Sequence, residues 1–514
     1  MKGRLMSASV ISSGLALLAA STVLASGPVQ VSSGPPSPYA GCVQPAQSGQ
    51  NFLDAEVEPQ IAVNPTNLKN MVGQWHQDRW SNGGARGIAG AYTKTGGQSW
   101  IDTTVPYTDC APGGLPYERG SDPWVSFGPD GTAYSSALSF DGSTNRNAVS
   151  AATSHDGGKT WVNAQTIVAN PNLQFSTDKN STTADPVHAG VAYTVWDTLN
   201  APTDNPDDNI HAAAYSGPAQ FSKTVNGGVT WSPVQTIIGT GNRQQTIGNI
   251  IVVDPRTDTL YDFTDLIVPP NTPFQGVQSN AEVAFTTSTD QGATWSAPQV
   301  IAPFRSTGVI DPNTGQAART GNILQEVAID PANGALYVVW QASSNFAKNL
   351  KQGAATFDNE VLLTSSTNGG KTWSTPTAIV GPASYPVFTP MVAVNSNGTL
   401  AVTYYDSREL TSTNTSTWPV DYWVTYSTNG GASFGDEQHV SGPFNLMAAP
   451  VARGFFLGDY EGLAAVGSSF EALFVQTNCG GFDSTSPQCA PASSNTAPTS
   501  NTNPTDVFSA TLTP

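Results

Sequence analysis

The sequence predicts an all-β fold, a β-propeller of four-stranded blades. Three observations predict it. A hairpin signature of the form S/T-x-D/N-x-G-x-T/S-W recurs six times along the chain. An extended segment of recognisable pattern precedes each copy. Only 11 % of residues are charged, whereas 49 are Gly and 38 are Pro, a composition of short strands and many turns rather than of long solvent-facing helices. No long stretch carries apolar residues at helical spacing beyond the first 25 residues.

The N-terminus reads as an export signal over residues 1–25. Lys2 and Arg4 form a basic region, Val10 to Ala20 is apolar and small, and Val23-Leu24-Ala25 offers a small residue for cleavage. No later run of about 18 apolar residues follows, so no membrane span is expected. The mature protein is expected outside the cell, secreted or in a periplasm, as a monomer. The four cysteines suit an oxidising compartment. Cys479 and Cys489 flank a Gly/Ser/Pro loop and are expected to pair, leaving Cys42 with Cys110, although four cysteines allow three connectivities.

The six copies are Thr93–Trp100, Ser154–Trp161, Thr224–Trp231, Ser288–Trp295, Ser366–Trp373 and Ser427–Phe434. Their starts lie 61, 70, 64, 78 and 61 residues apart, room for one four-stranded sheet per repeat. Asp156, Asn226, Asp290, Asn368 and Asn429 can bond the turn's own N–H groups, and glycine supplies positive φ. The first copy departs, with Thr95 at the Asp/Asn position. The preceding segments begin at Pro59, Asp122-Pro, Ala184-Asp-Pro, Ile247-Gly-Asn, Leu324-Gln-Glu and Thr389-Pro. Each leads to a strand with an aromatic near its end: Trp75, Tyr134, Trp196, Tyr261, Trp340 and Tyr405. A seventh start, Asp459-Tyr-Glu-Gly, follows the last copy, with Phe470–Gln476 and Asp506–Leu512 as further strands. The expected count is therefore seven blades, with six the alternative. Residues 26–50 form an N-terminal segment in which Val29–Ser32 can close the ring against the last sheet. Residues 51–514 form the repeat array, and 484–505 read as a Ser/Thr/Pro-rich loop within it.

These repeats resemble the Asp boxes of the sialidase (BNR-repeat) superfamily, over about residues 55–480. In that family the box is a structural turn. The resemblance implies a sialidase-like glycoside hydrolase acting on acidic glycans, an exo-α-sialidase in its specific form. The alternative is a non-catalytic propeller that binds glycans or proteins at the cell surface. The family scheme uses arginines on the sugar carboxylate, a Tyr–Glu nucleophile pair and an Asp acid/base, an exception to the two-carboxylate scheme. Carried over by position, it makes Arg79, Arg319 and Arg408 carboxylate-binding, Glu326 and Tyr460 the nucleophile pair, and Asp122 the acid. The family's first-arginine motif, Phe/Tyr-Arg-Ile/Leu-Pro, is absent.

Residue chemistry points to the same rim independently. Up-and-down connectivity puts the starts of first strands and the ends of second strands on the face away from the boxes. Arg119, Asp122, Lys179, Arg243, Arg319, Glu326 and Arg453 stand at such starts, and Asp78, Arg79, Asp197, Asp262, Asp406 and Arg408 at such ends. Several guanidiniums there could clamp a carboxylate. The same residues can instead bond backbone carbonyls and one another, and their recurrence from blade to blade suits that structural role. Arg453 to Glu461 packs a base, two acids and a phenol into nine residues, so Arg453 joins the expected ligand-binding set. His76 beside Asp78 reads as a satisfied rim residue, and the run Asp204 to Asn209 as a solvated turn lacking the glycine and terminal glutamate of a calcium loop. No cofactor or metal is expected, because the cysteines and histidines lack zinc spacing. A net charge of −18 argues against nucleic-acid binding.

Overall fold

In the computed structural model, residues 27–203, 215–268, 281–346, 358–382, 385–478 and 503–514 are described. The export signal, the Cys479–Cys489 pair, the 204–209 run and most of the 484–505 loop lie outside them. The described chain is all-β, with helix confined to short turns such as Leu446–Ala448. Among the described residues, no helix is long and apolar enough to cross a membrane.

The strands form antiparallel four-stranded sheets in sequence order. Five stand separately, and an eight-stranded one divides into two where Ala85 pairs with Gly120 alone. Their first strands are Glu56–Val63, Arg119–Phe127, Phe175–Ala184, Gln245–Asp254, Gln325–Ile329, Val387–Val394 and Gly462–Val466. Each first strand contacts the next in this order, and Gly462–Val466 contacts Glu56–Val63. The last sheet takes its fourth strand from the beginning of the chain, where Val29 pairs with Ser509 and Gln30 with Phe508. That pairing covers an edge that would otherwise present unpaired backbone groups. A small three-stranded sheet interrupts the pattern. In it Ala317–Arg319 runs parallel to Phe455–Phe456, which precede the last sheet.

The repeated turn explains how sheets meet. In the second copy, Asp156 accepts from Thr160 N at 2.9 Å and Thr160 Oγ1 at 2.7 Å, while Gly158 N donates to Ser154 Oγ at 2.9 Å. Asn or Asp accepts the corresponding backbone N–H at 226, 290, 368 and 429, and at the three asparagines Nδ2 donates to the hydroxyl instead. In the first copy the Thr95 hydroxyl substitutes, accepting from Ser99 N at 3.1 Å. The closing aromatic then packs on the preceding sheet. Trp295 meets Phe221 edge-on at 5.4 Å, Trp373 meets Phe285 at 5.7 Å, and Trp100 reaches round to Ser509 of the last sheet. The second glycine of each turn also approaches that sheet closely. A Cβ on Gly158 would lie 2.2 Å from Val72 Cγ2, and one on Gly228 2.3 Å from Thr153 Cγ2. Both glycines have φ near +80–93°, so conformation and space demand the same residue.

The disulfide Cys42–Cys110 ties the N-terminal segment to the loop that links the first two sheets. Ser37 donates to Asp78 at 2.8 Å, and Tyr39 to the Ile88 carbonyl at 2.7 Å. Arg119 is consumed there, bonding Gln47, Ser48, Asn82 and Gly83 while its guanidinium stacks 4.3 Å over Trp80.

Gly228→Ala is expected to lower unfolding stability by about 2 kcal/mol or more, from left-handed strain plus crowding of the neighbouring sheet. Adding Thr153→Ser, which removes the crowding methyl, should recover part of the loss in denaturant titrations. An unchanged midpoint in the single variant would contradict this account of the sheet interface.

Candidate functional site

The first strands share a local device. In five of them the register slips by a bulge, between Val57 and Gln60, Ser121 and Trp124, Asp178 and Ser181, Ile247 and Ile250, and Phe388 and Met391. The bulged residue has positive φ each time: Glu58 54°, Asp122 51°, Lys179 33°, Gly248 72° and Thr389 50°. A bulge re-aims a side chain, and a non-glycine residue at positive φ stores strain that the surrounding sheet must hold. In the first three sheets the re-aimed residues are charged, and they meet.

Lys179 Nζ lies 3.3 Å from Glu58 Oε1, 3.2 Å from Asp122 Oδ2 and 3.2 Å from Asp459 Oδ2. Asp459 is gripped a second time by Arg319, through Nε to Oδ1 at 3.0 Å and Nη2 to Oδ2. Of the five, all but Arg319 are buried, and the Arg319 side chain stays 22 % exposed. Burial alone would strip the Lys179 proton, but the three carboxylates outweigh it and hold the ammonium charged. The acids split. Burial pushes Glu58 up to about 7, against the pull of Lys179 and with help from Asp122 and Asp459. Burial also opposes ionisation of Asp459, yet Arg319 and Lys179 override it and hold that carboxyl well below the usual range.

His76 completes the floor. Its Nε2 accepts from the Asp122 backbone N–H at 2.6 Å and lies 3.2 Å from Glu58 Oε2. Burial, then Arg79 and Lys179, keeps the ring neutral. Glu58, His76 and Asp122 present ligand atoms close enough together for a metal ion. The Lys179 ammonium already supplies the positive charge beside two of them, and the His76 nitrogen is occupied by a backbone donor. The set therefore fits an internal ammonium better than an added cation.

This floor opens into a cavity of about 560 Å³. Five of the chain's 11 arginines line it: Arg79, Arg146, Arg243, Arg319 and Arg453. Arg79 is spent on the Trp80 and Gly84 carbonyls at 2.8 and 2.6 Å. Its guanidinium and that of Arg319 both lie over the Phe456 ring, at 5.0 and 4.4 Å. Arg146 pairs with Asp141 at 2.7 Å. Arg243 and Arg453 are exposed, and among the described residues neither guanidinium has a hydrogen-bond or ion-pair partner.

The expected site residues separate into groups. Asp122, Arg79, Arg319 and Arg453 line the cavity. Tyr460 and Glu326 are close by but do not line it. The Tyr460 hydroxyl donates to the Pro123 carbonyl at 3.4 Å, Lys179 Nζ stands 4.8 Å over the ring, and the ring packs with Ile247, Leu324 and Met391. Burial pushes Glu326 up to about 8. Arg408 is apart: it bonds Asp406 at 2.6 Å and Glu437 at 2.8 Å and stacks 3.7 Å over Trp423. Other acids of that rim are staples between segments. Asp197 accepts from Thr246 Oγ1 at 2.9 Å and Gly248 N at 2.8 Å, and so fixes the neighbouring sheet's bulge. Glu58 was not among the expected residues. Its signal is Glu58-Pro59, which matches Asp122-Pro123 and Thr389-Pro390 at the other bulges.

Many buried acids hold their protons. Burial raises Asp197 and Glu326 to about 8 and Glu471 to about 7, and Asp262 is fully buried with neither carboxyl oxygen bonded. For such groups the stabilisation is complete below the unfolded value near 4. It is lost as pH rises through the folded values, because the unfolded chain gives up protons that the fold retains. Asp459 acts oppositely, and its contribution is lost only below about pH 4. Thermal melts from pH 3 to 9 should therefore peak near pH 4–5 and decline toward pH 8. A melting temperature that rises from pH 5 to 8 would refute this.

No protein-family model matches the sequence, and no curated protein matches it. Among solved structures, the chain is similar to an α-L-arabinanase of Penicillium chrysogenum complexed with arabinobiose, at 15 % identity and TM-score 0.45, covering 74 % of this chain and 94 % of that one. It is similar to the NanB sialidase of Streptococcus pneumoniae at 10 % identity and TM-score 0.41, covering 90 % and 94 %. A protein of unknown function from Dyadobacter fermentans gives 11 % identity and TM-score 0.44, covering 95 % and 98 %. Likenesses of this degree assign neither activity nor residues.

Proposed function

We propose that the chain is an exported, sialidase-like glycoside hydrolase acting on acidic glycans, built as a seven-bladed propeller with its substrate site in the arginine-lined cavity. The observation that carries the reading is the gathering of five of 11 arginines around a floor of carboxyls, in a chain where acids outnumber bases 38 to 20. The exo-α-sialidase form of the activity is its most specific version. The disulfide and the N-terminal signal support export to an oxidising compartment.

Arg319, Arg453 and Arg243 hold the acidic group of the sugar, with bidentate geometry available to Arg453 and Arg243, whose guanidiniums have no partner among the described residues. Two carboxyls with environments that drive their acidities apart are the natural acid and base. Glu58 keeps its proton near neutral pH and gives it to the departing glycosidic oxygen as the C–O bond breaks. Asp459, ionised, faces the positive charge that develops at the anomeric carbon, to which water then adds, returning a proton to Glu58. Both touch Lys179 Nζ, at 3.3 and 3.2 Å, so those two oxygens are at most 6.5 Å apart. That bound reaches only the lower limit of the roughly 6.5–9.5 Å spacing of inverting enzymes, and it admits the roughly 5–5.5 Å spacing of retaining ones. Asp122 is the third carboxyl on the ammonium and the alternative acid. Tyr460, the family's nucleophile type, has its hydroxyl on a backbone carbonyl, and its expected contribution is to seat Lys179.

A second reading, a non-catalytic glycan-binding propeller, is favoured by one observation: Lys179 engages all three floor carboxyls. Fluorogenic sialosides and glucuronides presented to the mature protein separate the two. Glu58→Gln and Asp459→Asn should each lower kcat at least about 100-fold, Arg453→Ala should raise KM about tenfold, and Tyr460→Phe should stay within about threefold. The kcat/KM profile should fall above pH 7, as Glu58 loses its proton. Glycan binding by the wild type without turnover of any acidic glycoside would replace the first reading with the second.

A further inference from the structure

The cavity lining is of two unlike kinds. One set is charged, and includes Glu58, Arg319, Arg453 and Asp459. The other is largely aliphatic. Leu173 and Leu199 of the third sheet region, Ile267 and Val268 of the fourth, and Ile323 before the fifth form it, with Phe140 of the second. Each of these six is partly exposed to solvent. A sugar ring presents hydroxyls at its rim and needs a flat aromatic face for its C–H surface. Branched aliphatic side chains themselves offer hydroxyls nothing to bond, although Ser176 pairs across the ladder with Leu199 and Gln245 with Ile267, and both line the cavity. The exposure of the aliphatic set is unfavourable by about 25 cal/mol per Å² until something apolar covers it. Arg243 and Arg453, whose guanidiniums have no partner among the described residues, line the same cavity. One occupant uses both sets: an anion with a saturated apolar substituent.

We infer that the site takes acidic sugars linked to an apolar, alkyl-type aglycone, with the anionic group on the arginines and the aglycone along the Leu173–Leu199–Ile267–Ile323 wall. The inference rests on the acidic-glycan reading and specifies its leaving-group side. Hydrolysis of such a glycoside would release an alcohol of low polarity, and the wall's role is to remove that group from water while Glu58 protonates the bridging oxygen.

The test uses the mature full chain and calorimetric titration with methyl, n-butyl and n-octyl glucuronides, with n-octyl glucoside as the uncharged control. Each added methylene should tighten binding about threefold to fourfold until the wall is covered, so the Kd for the butyl compound should be at least tenfold below that of the methyl one. The octyl glucoside should bind at least tenfold more weakly than the octyl glucuronide. Leu199→Ser and Ile267→Asn, both at partly exposed positions, should flatten the chain-length series. Methyl glucuronide binding with no dependence on chain length would overturn the inference and leave the acidic-glycan reading standing. A chain-length series without turnover would uphold the inference and remove the hydrolase reading. Absence of binding by every glucuronide would overturn both.

Discussion

One buried ammonium organises the axial region. Lys179 reaches Glu58 of the first sheet, Asp122 of the second and Asp459 before the last, so a single cation links the third sheet to three others. Its removal would leave carboxyls buried against one another, with Arg319 able to satisfy only Asp459. Breaking a buried charge pair from one side is far more damaging than never having built it. The cluster also fixes which acids are ionised. Arg319 and Lys179 together keep Asp459 charged, and the negative charge of Asp459 and Asp122 then helps burial to keep Glu58 protonated. The split between the two acids belongs to the cluster as a whole rather than to either residue.

The scaffold and the site depend on backbone conformation in the same way. At the box face, glycines at positive φ let each turn approach the preceding sheet more closely than any Cβ would allow. At the opposite end of the first strands, positive φ at bulges turns side chains out of the ladder. There, charged residues replace glycine in three sheets, at a cost in strain of the order of 1–3 kcal/mol each. Such strain persists only where the surroundings over-determine it. His76 on the preceding sheet, accepting the Asp122 N–H, and the Leu457 carbonyl, accepting the Glu58 N–H, are fixtures of this kind. Residues that look like a catalytic dyad or a ligand acid by type are therefore mostly supports.

The all-β character and the repeat were legible because they rest on local chemistry: a turn of eight residues carries its own hydrogen bonds, and its signature survives in one chain. The Cys42–Cys110 bond, between residues 68 apart in sequence, is the pairing expected by default, one of three that the sequence alone leaves open. The cavity was only half legible. Asp122, Arg79, Arg319 and Arg453, expected on one rim by connectivity, line one cavity, but rim position does not say which side chains share a partner. Arg408 is equivalent in type and consumed by Asp406 and Glu437, both near it in space. Glu58 escaped notice because a bulge, which no pattern of apolar residues reports, turns it inward. The Glu-Pro, Asp-Pro and Thr-Pro steps at 58, 122 and 389 mark those bulges, yet only the structure ties the step to a slip in register.

The charge of the folded molecule is also less negative than its composition states. The formal value of −18 counts Asp197, Glu326 and Glu471 as ionised, whereas burial raises the first two to about 8 and the third to about 7. The long-range repulsion met by an acidic ligand shrinks accordingly, and at physiological salt it extends only about 8 Å. Within the cavity the balance reverses. Five arginines and Lys179 line it together with partly exposed aliphatic side chains, and a low-dielectric cleft focuses the field of the charges that line it. Buried protonated acids thus leave the protein less repulsive to an anion than its composition implies.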